Sequence, residues 1–381
     1  MNPSVQTFHG GAIFDGHELR EGLFARFEKG ILVRLGPETE RPSGDALDLS
    51  GDILSIGYVD LQVNGGGGIM FNDDPSTRTL ETIAKAHRSL GVTHLLPTLI
   101  TDTRDKTRAA IAAAVEAVRD NVPGIAGLHL EGPHLSARRN GAHDAELIRP
   151  MEEDDLAGLI DAVEHLPCLK VTLAPESVSE EQVERLSNAG VLVSLGHSDA
   201  GFETCQRYYN AGARCVTHLF NAMSSIGHRA PGLAGSALAN GGTSAGLIAD
   251  GIHVHPEVMR MAWLAKRGPG HIYLVSDAMA VAGTTMMAFE LGGRTILRRN
   301  GELRLADGTL AGADLDLTTA VSTLVNQAEI ALEDALAAAT RVPAHVCGLT
   351  SYGLKEGTTA LSDMIRIRAD LSTAEPLTKP A

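Results

Sequence analysis

The chain has 381 residues and a formal net charge of −15, from 47 acidic and 32 Lys or Arg side chains. That length allows one large buried core and a smaller appendage, and the acidic balance excludes a protein whose main task is to neutralise nucleic-acid phosphates. A small anionic substrate stays open, because one Arg or a nest of backbone amides can hold a phosphate.

Residues near 4–50 read as short strands and turns, such as Ala12–Phe14 and Ile31–Leu35 on either side of Glu28-Lys29-Gly30. From about residue 53 onward, β-type runs alternate with helical stretches. The runs are Ile53–Val63, Val92–Pro97, Ile125–Leu130, Leu169–Ala174, Val191–Leu195, Arg214–Thr217, Ala245–Ala249 and Ile272–Val275, eight in all. Among the helices, Thr77–Leu90 puts Leu80, Ile83, Ala84 and His87 on one face, and Lys106–Arg119 is rich in Ala and Val. A third, Ser179–Ala189, opens on Ser179 followed by two Glu, an N-terminal signal. Two more, near Leu317–Ala331 and Glu333–Thr340, follow the last run, and Gly353–Ala369 returns to β alternation. This order predicts an α/β fold, a (β/α)8 TIM barrel, with a small β-sandwich domain formed from both termini. Residues 1–54 and 349–381 would build the small domain and residues 55–348 the catalytic barrel.

No apolar run is long enough to span a bilayer, and Met1–Gly11 has no basic segment followed by an apolar one. A cytoplasmic protein with no membrane or nucleic-acid partner is expected. Cys168, Cys205, Cys215 and Cys347 form no Cys-x-x-Cys pair, so buried reduced thiols are expected rather than a thiolate metal knuckle.

Polar residues cluster where the runs end, and in a barrel those ends converge on one mouth. Gln62 and Asn64 end the first run. Glu131 follows the third, in His129-Leu130-Glu131-Gly132-Pro133-His134, and His197 follows the fifth, in Gly196-His197-Ser198. His218 follows the sixth, in Thr217-His218-Leu219-Phe220-Asn221-Ala222-Met223, while His253 follows the seventh and Asp277 the eighth. Taken singly, a His after a strand is more often a hydrogen-bonded structural group, and Glu131 reads equally as a buried salt-bridge partner. Glu131, His197 and His218 together make a His₂Glu set suited to one divalent cation, most simply zinc, with ferrous iron as the alternative. The set leaves room for a water, whose pKa the net positive charge would lower.

Asp277, in Val275-Ser276-Asp277-Ala278, is the candidate general base, with a helix N-cap as its plain alternative. His143, in Asn140-Gly141-Ala142-His143, either polarises a carbonyl, binds a sugar hydroxyl or faces solvent. Arg229, in Gly227-His228-Arg229-Ala230-Pro231-Gly232, either grips a phosphate or is a solvated surface group. His87, His94 and His271 read as structural. The run Gly65–Gly68 lacks dinucleotide-binding spacing, and there is no Gly-x-x-x-x-Gly-Lys loop.

At this point the chain resembles the N-acetylglucosamine-6-phosphate deacetylases, a branch of the amidohydrolase superfamily. The resemblance is carried by Asp60-Leu61-Gln62-Val63-Asn64-Gly65, Leu96-Pro97-Thr98-Leu99-Ile100-Thr101, His129-Leu130-Glu131-Gly132-Pro133, Gly196-His197-Ser198, Thr217–Met223, Pro231-Gly232-Leu233-Ala234-Gly235, Ala249-Asp250-Gly251-Ile252-His253 and Ser276-Asp277-Ala278, in family order through the barrel. It implies removal of acetate from an amino-sugar phosphate, with Glu131, His197 and His218 on the metal and Asp277 as general base and then acid. His143 would polarise the amide carbonyl or position the sugar. Asn221, the amide of Ala222 and His253 would meet the phosphate, together with Arg229 reaching across a homodimer. The turn Leu310-Ala311-Gly312 matches a loop that closes over the substrate, and Gln62, Asn64 and Ala142 would complete the binding set.

Many amidohydrolases carry His-x-His where this chain has Gln62 and Asn64, and amide oxygens bind zinc more weakly than imidazole. One metal per subunit is therefore implied. The galacto epimer of the sugar is a competing substrate, since motifs around a metal do not separate epimers. A different amide hydrolase is disfavoured, because no carboxylated-lysine signal stands at the end of the fourth run, which Pro175-Glu176 follows. A non-enzymatic relative would not need the three ligands and Asp277.

Overall fold

The computed structural model describes residues 5–349 and 352–377, so residues 350, 351 and 378–381 of the expected C-terminal part, and 1–4 of the N-terminal part, lie outside it. Eight strands form one parallel sheet: Tyr58–Val63, Val92–Ile100, Leu128–Glu131, Leu169–Leu173, Leu192–Leu195, Cys215–Val216, Ser244–Leu247 and Ile272–Leu274. The last meets the first through a Val63–Ala278 bridge and through the Asp277 amide, which donates to the Gln62 carbonyl at 3.0 Å. This is the expected TIM barrel.

The helices behave as their patterns require. Thr77–Arg88 buries Leu80, Ile83, Ala84 and His87, and Ser179 Oγ accepts the Gln182 amide at 3.2 Å while Gln182 returns a bond to the Ser179 amide. The run expected as one strand over Ile53–Val63 is two strands, broken at Gly57. A Cβ on Gly57 would lie 2.2 Å from Thr93 Cγ2, so only glycine lets the chain turn there against the second barrel strand. Ile53–Ile56 pairs instead with Ala12–Phe14 and Met364–Ile367.

Both termini thus meet beside the barrel. One sheet orders Ala374–Pro376, Met364–Ile367, Ile53–Ile56, Ala12–Phe14 and Leu19–Arg20; the other orders Ile31–Pro37, Leu23–Glu28, Val5–His9 and Leu47–Asp48. Phe8, Ile13, Phe27, Leu32, Leu54 and Met364 pack between them. Asp52 ties the two ends of the chain together: it accepts Arg366 Nε at 2.6 Å, Arg368 Nη1 at 2.9 Å and the Ala369 amide at 3.0 Å. Burial works to raise the Asp52 carboxyl, but the amide and the guanidiniums outweigh it and hold it below the ordinary carboxylate range. Because the folded pKa is depressed, this stabilisation is present above an unfolded value of about 3.9 and is lost as pH falls through the folded one. Asp52→Ala should cost about 3 kcal/mol at neutral pH, since it strands a largely buried Arg366. Urea denaturation of both proteins measures this, and a difference under about 0.5 kcal/mol would refute it.

Two further features bear on the mouth of the barrel. Its interior holds a relay of hydroxyls and one imidazole: Thr98 Oγ1 to His129 Nδ1 at 3.1 Å, His129 Nε2 to Thr172 Oγ1 at 2.7 Å, then Thr217 Oγ1 and Ser194 Oγ at 2.7 Å each. After the eighth strand an antiparallel flap of Ala288–Leu291, Arg294–Arg299 and Glu302–Arg304 leaves the barrel. Its turns, Gly292-Gly293 and Asn300-Gly301, all have positive φ, as two-residue hairpins of this twist demand. Phe289, Leu291, Ile296 and Leu303 pack with Met70, Ile100 and Met279, and Arg294 Nη2 donates to the Ala142 carbonyl at 2.5 Å. Among the described residues no helix is long and apolar enough to cross a membrane, and the four cysteines are free and buried.

Candidate active site

The strand ends deliver their polar side chains to one cavity of about 380 Å³. Asn64, Glu131, Ala142, His143, His197, His218, Asn221, Ala222, His253, Asp277, Leu310 and Gly312 all line it, as do Arg304 and Thr309. Three expected residues do not. Gln62 is fully buried beneath the floor, Ala311 packs into the flap core, and Arg229 is exposed outside the cavity of its own chain.

His197, His218 and Asp277 share a backbone signature, φ of 46°, 28° and 50°, and Ala222 follows at 49°. Non-glycine residues pay for such conformations, which persist where the surrounding structure over-determines them. Here the turn immediately after each strand swings the side chain inward.

His197 Nε2 lies 3.2 Å from Glu131 Oε1, His218 Nε2 lies 2.9 Å from the same oxygen, and the two imidazole nitrogens are 3.1 Å apart. Ligands of a tetrahedral zinc at ~2.0–2.1 Å stand about 3.3 Å from one another, so the three atoms already have nearly the spacing a cation needs. His197 Nδ1 donates to the Arg139 carbonyl at 2.7 Å, which leaves the lone pair on the inward-facing Nε2. Burial would raise Glu131, yet the two imidazoles outweigh it and hold it well below the carboxylate range. Burial lowers His218, but Glu131 prevails and raises it. A buried carboxylate held in its charged form, with His218 raised beside it, marks a place built for positive charge.

Glu131, His143 and His197 also offer ligand atoms within 4.8 Å of one another, so His143 competes on distance. Its hydrogen bonds argue otherwise. The Thr101 amide points at His143 Nδ1 from 3.3 Å and the Thr101 hydroxyl lies 2.8 Å from it. An amide can only donate, which makes Nδ1 the acceptor and assigns the ring proton to Nε2, facing the cavity. Burial pushes His143 down to about 3, so the ring is neutral. It is a hydrogen-bond donor, not a lone-pair ligand.

Asp277 Oδ1 accepts Asn64 Nδ2 at 2.7 Å and Gln62 Nε2 at 3.1 Å, and Gln62 Nε2 also reaches Glu131 Oε2 at 3.2 Å. The amides that replace His-x-His therefore act as donors, holding two carboxylates side by side. Burial, and then Glu131, raise Asp277 above its ordinary value, which favours uptake of a proton by that carboxyl. At the far side of the cavity His253 Nδ1 meets Asp250 Oδ2 at 2.6 Å, while Asp250 Oδ1 accepts the Ile252 and His253 amides at 2.8 Å each. Asp250 was visible in the sequence only as part of a motif; its spacing, three residues before a His at a strand end, is the signal that identifies it as the group orienting the ring. The Ala222 amide makes no hydrogen bond to any described residue.

Residues 53–360 match the amidohydrolase family. The chain is 43% identical to N-acetylgalactosamine-6-phosphate deacetylase of Shewanella sp. strain ANA-3 over 296 residues, 78% of this chain and 74% of the relative. It is 33% identical to N-acetylglucosamine-6-phosphate deacetylase of Haemophilus influenzae over 326 residues, 84% of each chain. The crystal structure of N-acetylglucosamine-6-phosphate deacetylase from Pasteurella multocida superposes with a TM-score of 0.90 at 30% identity, covering 97% of both chains.

Proposed function

The chain belongs to the amidohydrolase family, and from that premise we propose that it hydrolyses N-acetyl-D-glucosamine 6-phosphate to glucosamine 6-phosphate and acetate. The observation that carries this reading is the convergence of Glu131, His197 and His218 with a buried carboxylate, Asp277, and a neutral donor, His143, in one cavity.

Glu131, His197 and His218 hold one divalent cation, zinc by the nitrogen-rich donor set, with ferrous iron also matched. When bound, that cation supplies Lewis-acid polarisation and a more acidic water. His143 Nε2–H donates to the acetamide oxygen and stabilises the charge that develops there. Asp277 takes the proton of the attacking water, carries it on a carboxyl whose affinity for protons burial has raised, and gives it to the departing amine nitrogen. Gln62 and Asn64 keep the carboxylate aimed during both transfers. Asn221, the Ala222 amide and His253 take the phosphate end, and Leu310 and Gly312 cover the sugar.

The protein works as a homodimer in which Arg229 serves the neighbouring cavity. What supports this is the exposure of Arg229 away from its own site, beside Ile226, which is 54% exposed. The helix Pro256–Ala265 likewise turns Met261 and Leu264 outward, at 66% and 80% exposure. Four unpaired cysteines suit the reducing cytoplasm.

The galacto epimer is the second reading, favoured by the 43% identity to the Shewanella enzyme. Acetate release from the two phosphorylated sugars separates them. The gluco substrate is expected to have the higher kcat/KM; a reversed preference assigns the chain to the epimer, and no release from either removes the hydrolase reading.

A further inference from the structure

We propose that Arg304 is a phosphate-binding residue of this site, a cation brought by the chain's own flap, which rests on the reading of the substrate as an amino-sugar phosphate. Among the described residues Arg304 is the only Lys or Arg that lines the cavity, which Asn221, Ala222, His253 and Thr309 also line, and its flap approaches the His253 loop, where a Cβ on Gly301 would stand 3.9 Å from Ile252 Cδ1. The other groups this chain itself offers the phosphate are a backbone amide, a carboxamide and an imidazole, and Arg229 from a neighbouring chain would add one positive charge, whereas a phosphate monoester carries close to two negative charges near neutral pH. In a chain of net charge −15, holding such an anion calls for local positive charge.

The geometry prepares the guanidinium for this use. Arg304 ends the strand Glu302–Arg304 and bridges to Leu310 across a tight turn, closed by the Leu305 amide on the Thr309 carbonyl and the Gly308 amide on the Leu305 carbonyl, both at 2.9 Å. Its Nε donates to Glu302 Oε2 at 2.5 Å and its Nη1 to the Gly308 carbonyl at 2.6 Å. Nη2 makes no hydrogen bond to any described residue. Two of three nitrogens are thus anchored, and the third is left to an acceptor from outside the protein. Glu302, the counter-charge, is absent from the cavity lining; it steadies the stem from outside the cavity, within electrostatic reach of Asp250 and His253. A planar fork fixed in this way loses little freedom on binding a phosphate oxygen.

The competing explanation is that Arg304 merely staples the turn Leu305–Thr309. Phosphate dependence distinguishes the two. We would compare wild type, Arg304→Gln and Arg304→Lys for kcat and KM on N-acetylglucosamine 6-phosphate and on unphosphorylated N-acetylglucosamine, and measure inorganic phosphate binding by calorimetry. For Arg304→Gln the expected result is a KM for the phosphorylated sugar raised about tenfold or more, as for loss of a charged hydrogen bond. The preference for the phosphorylated over the unphosphorylated sugar, as a ratio of kcat/KM, falls by a similar factor, and inorganic phosphate binds correspondingly more weakly. Arg304→Lys recovers part of each. An equal loss on both sugars, or unchanged phosphate affinity in Arg304→Gln, overturns the proposal. If the wild type releases no acetate from either sugar, the functional reading fails, and the calorimetric comparison still decides whether Arg304 binds phosphate.

Discussion

Asp277→Asn lowers kcat for acetate release by roughly a thousandfold or more while the bound metal content stays the same. The substitution keeps the shape of the side chain and removes its ability to accept a proton. It also sets an amide where Oδ1 now receives Asn64 Nδ2 at 2.7 Å and Gln62 Nε2 at 3.1 Å, so the new side chain must place its own oxygen there and turn its NH₂ toward the cavity. A donor then stands where the mechanism requires an acceptor, on the way in and on the way out. Steady-state kinetics with metal analysis of the same preparation checks this. A variant that turns over within tenfold of wild type would take Asp277 out of its assigned role.

The second large effect separates the two possible ligand sets. His218→Ala should lose most of the bound metal, and with it well over a hundredfold in activity, because two remaining ligands hold a divalent ion poorly. His143→Ala should keep about one metal per chain and still lose roughly a hundredfold in kcat, the size of effect seen when one donor to a developing oxyanion is removed. The contrast follows from the contacts: His218 Nε2 stands 2.9 Å from Glu131 Oε1 and 3.1 Å from His197 Nε2, close to ligand spacing, whereas the Thr101 amide makes His143 a donor toward the cavity. If instead His143→Ala loses the metal and His218→Ala retains it, the set Glu131, His143 and His197 is the true one.

Much of the architecture could be read in advance because it is written locally. The barrel strands are short β-rich runs, and the mouth was legible because ligand-type residues stand where those runs stop. What could not be read depends on distance. Gly57 looks like any residue inside a strand until Thr93 is placed against it. Threonines 98, 172 and 217 pass for ordinary strand formers, and their relay through His129 exists only once the strands are in register. The flap, between Val275 and Leu317, went unread, although Gly292-Gly293 and Asn300-Gly301 are turn pairs, and nothing in its sequence places Arg294 on the loop before His143, or Arg304 in the cavity that His253 lines. Gln62 was legible as a missing ligand, and its use as a double donor to Glu131 and Asp277 was not.

The left-handed backbone at His197, His218, Ala222 and Asp277 has a consequence for anyone who sets out to make this protein more robust. Each such residue withholds of order 1–3 kcal/mol from the fold, and glycine would return much of it. A redesign guided by thermal tolerance alone would count these four positions among its targets, and a hardier protein made that way would have been improved out of its occupation.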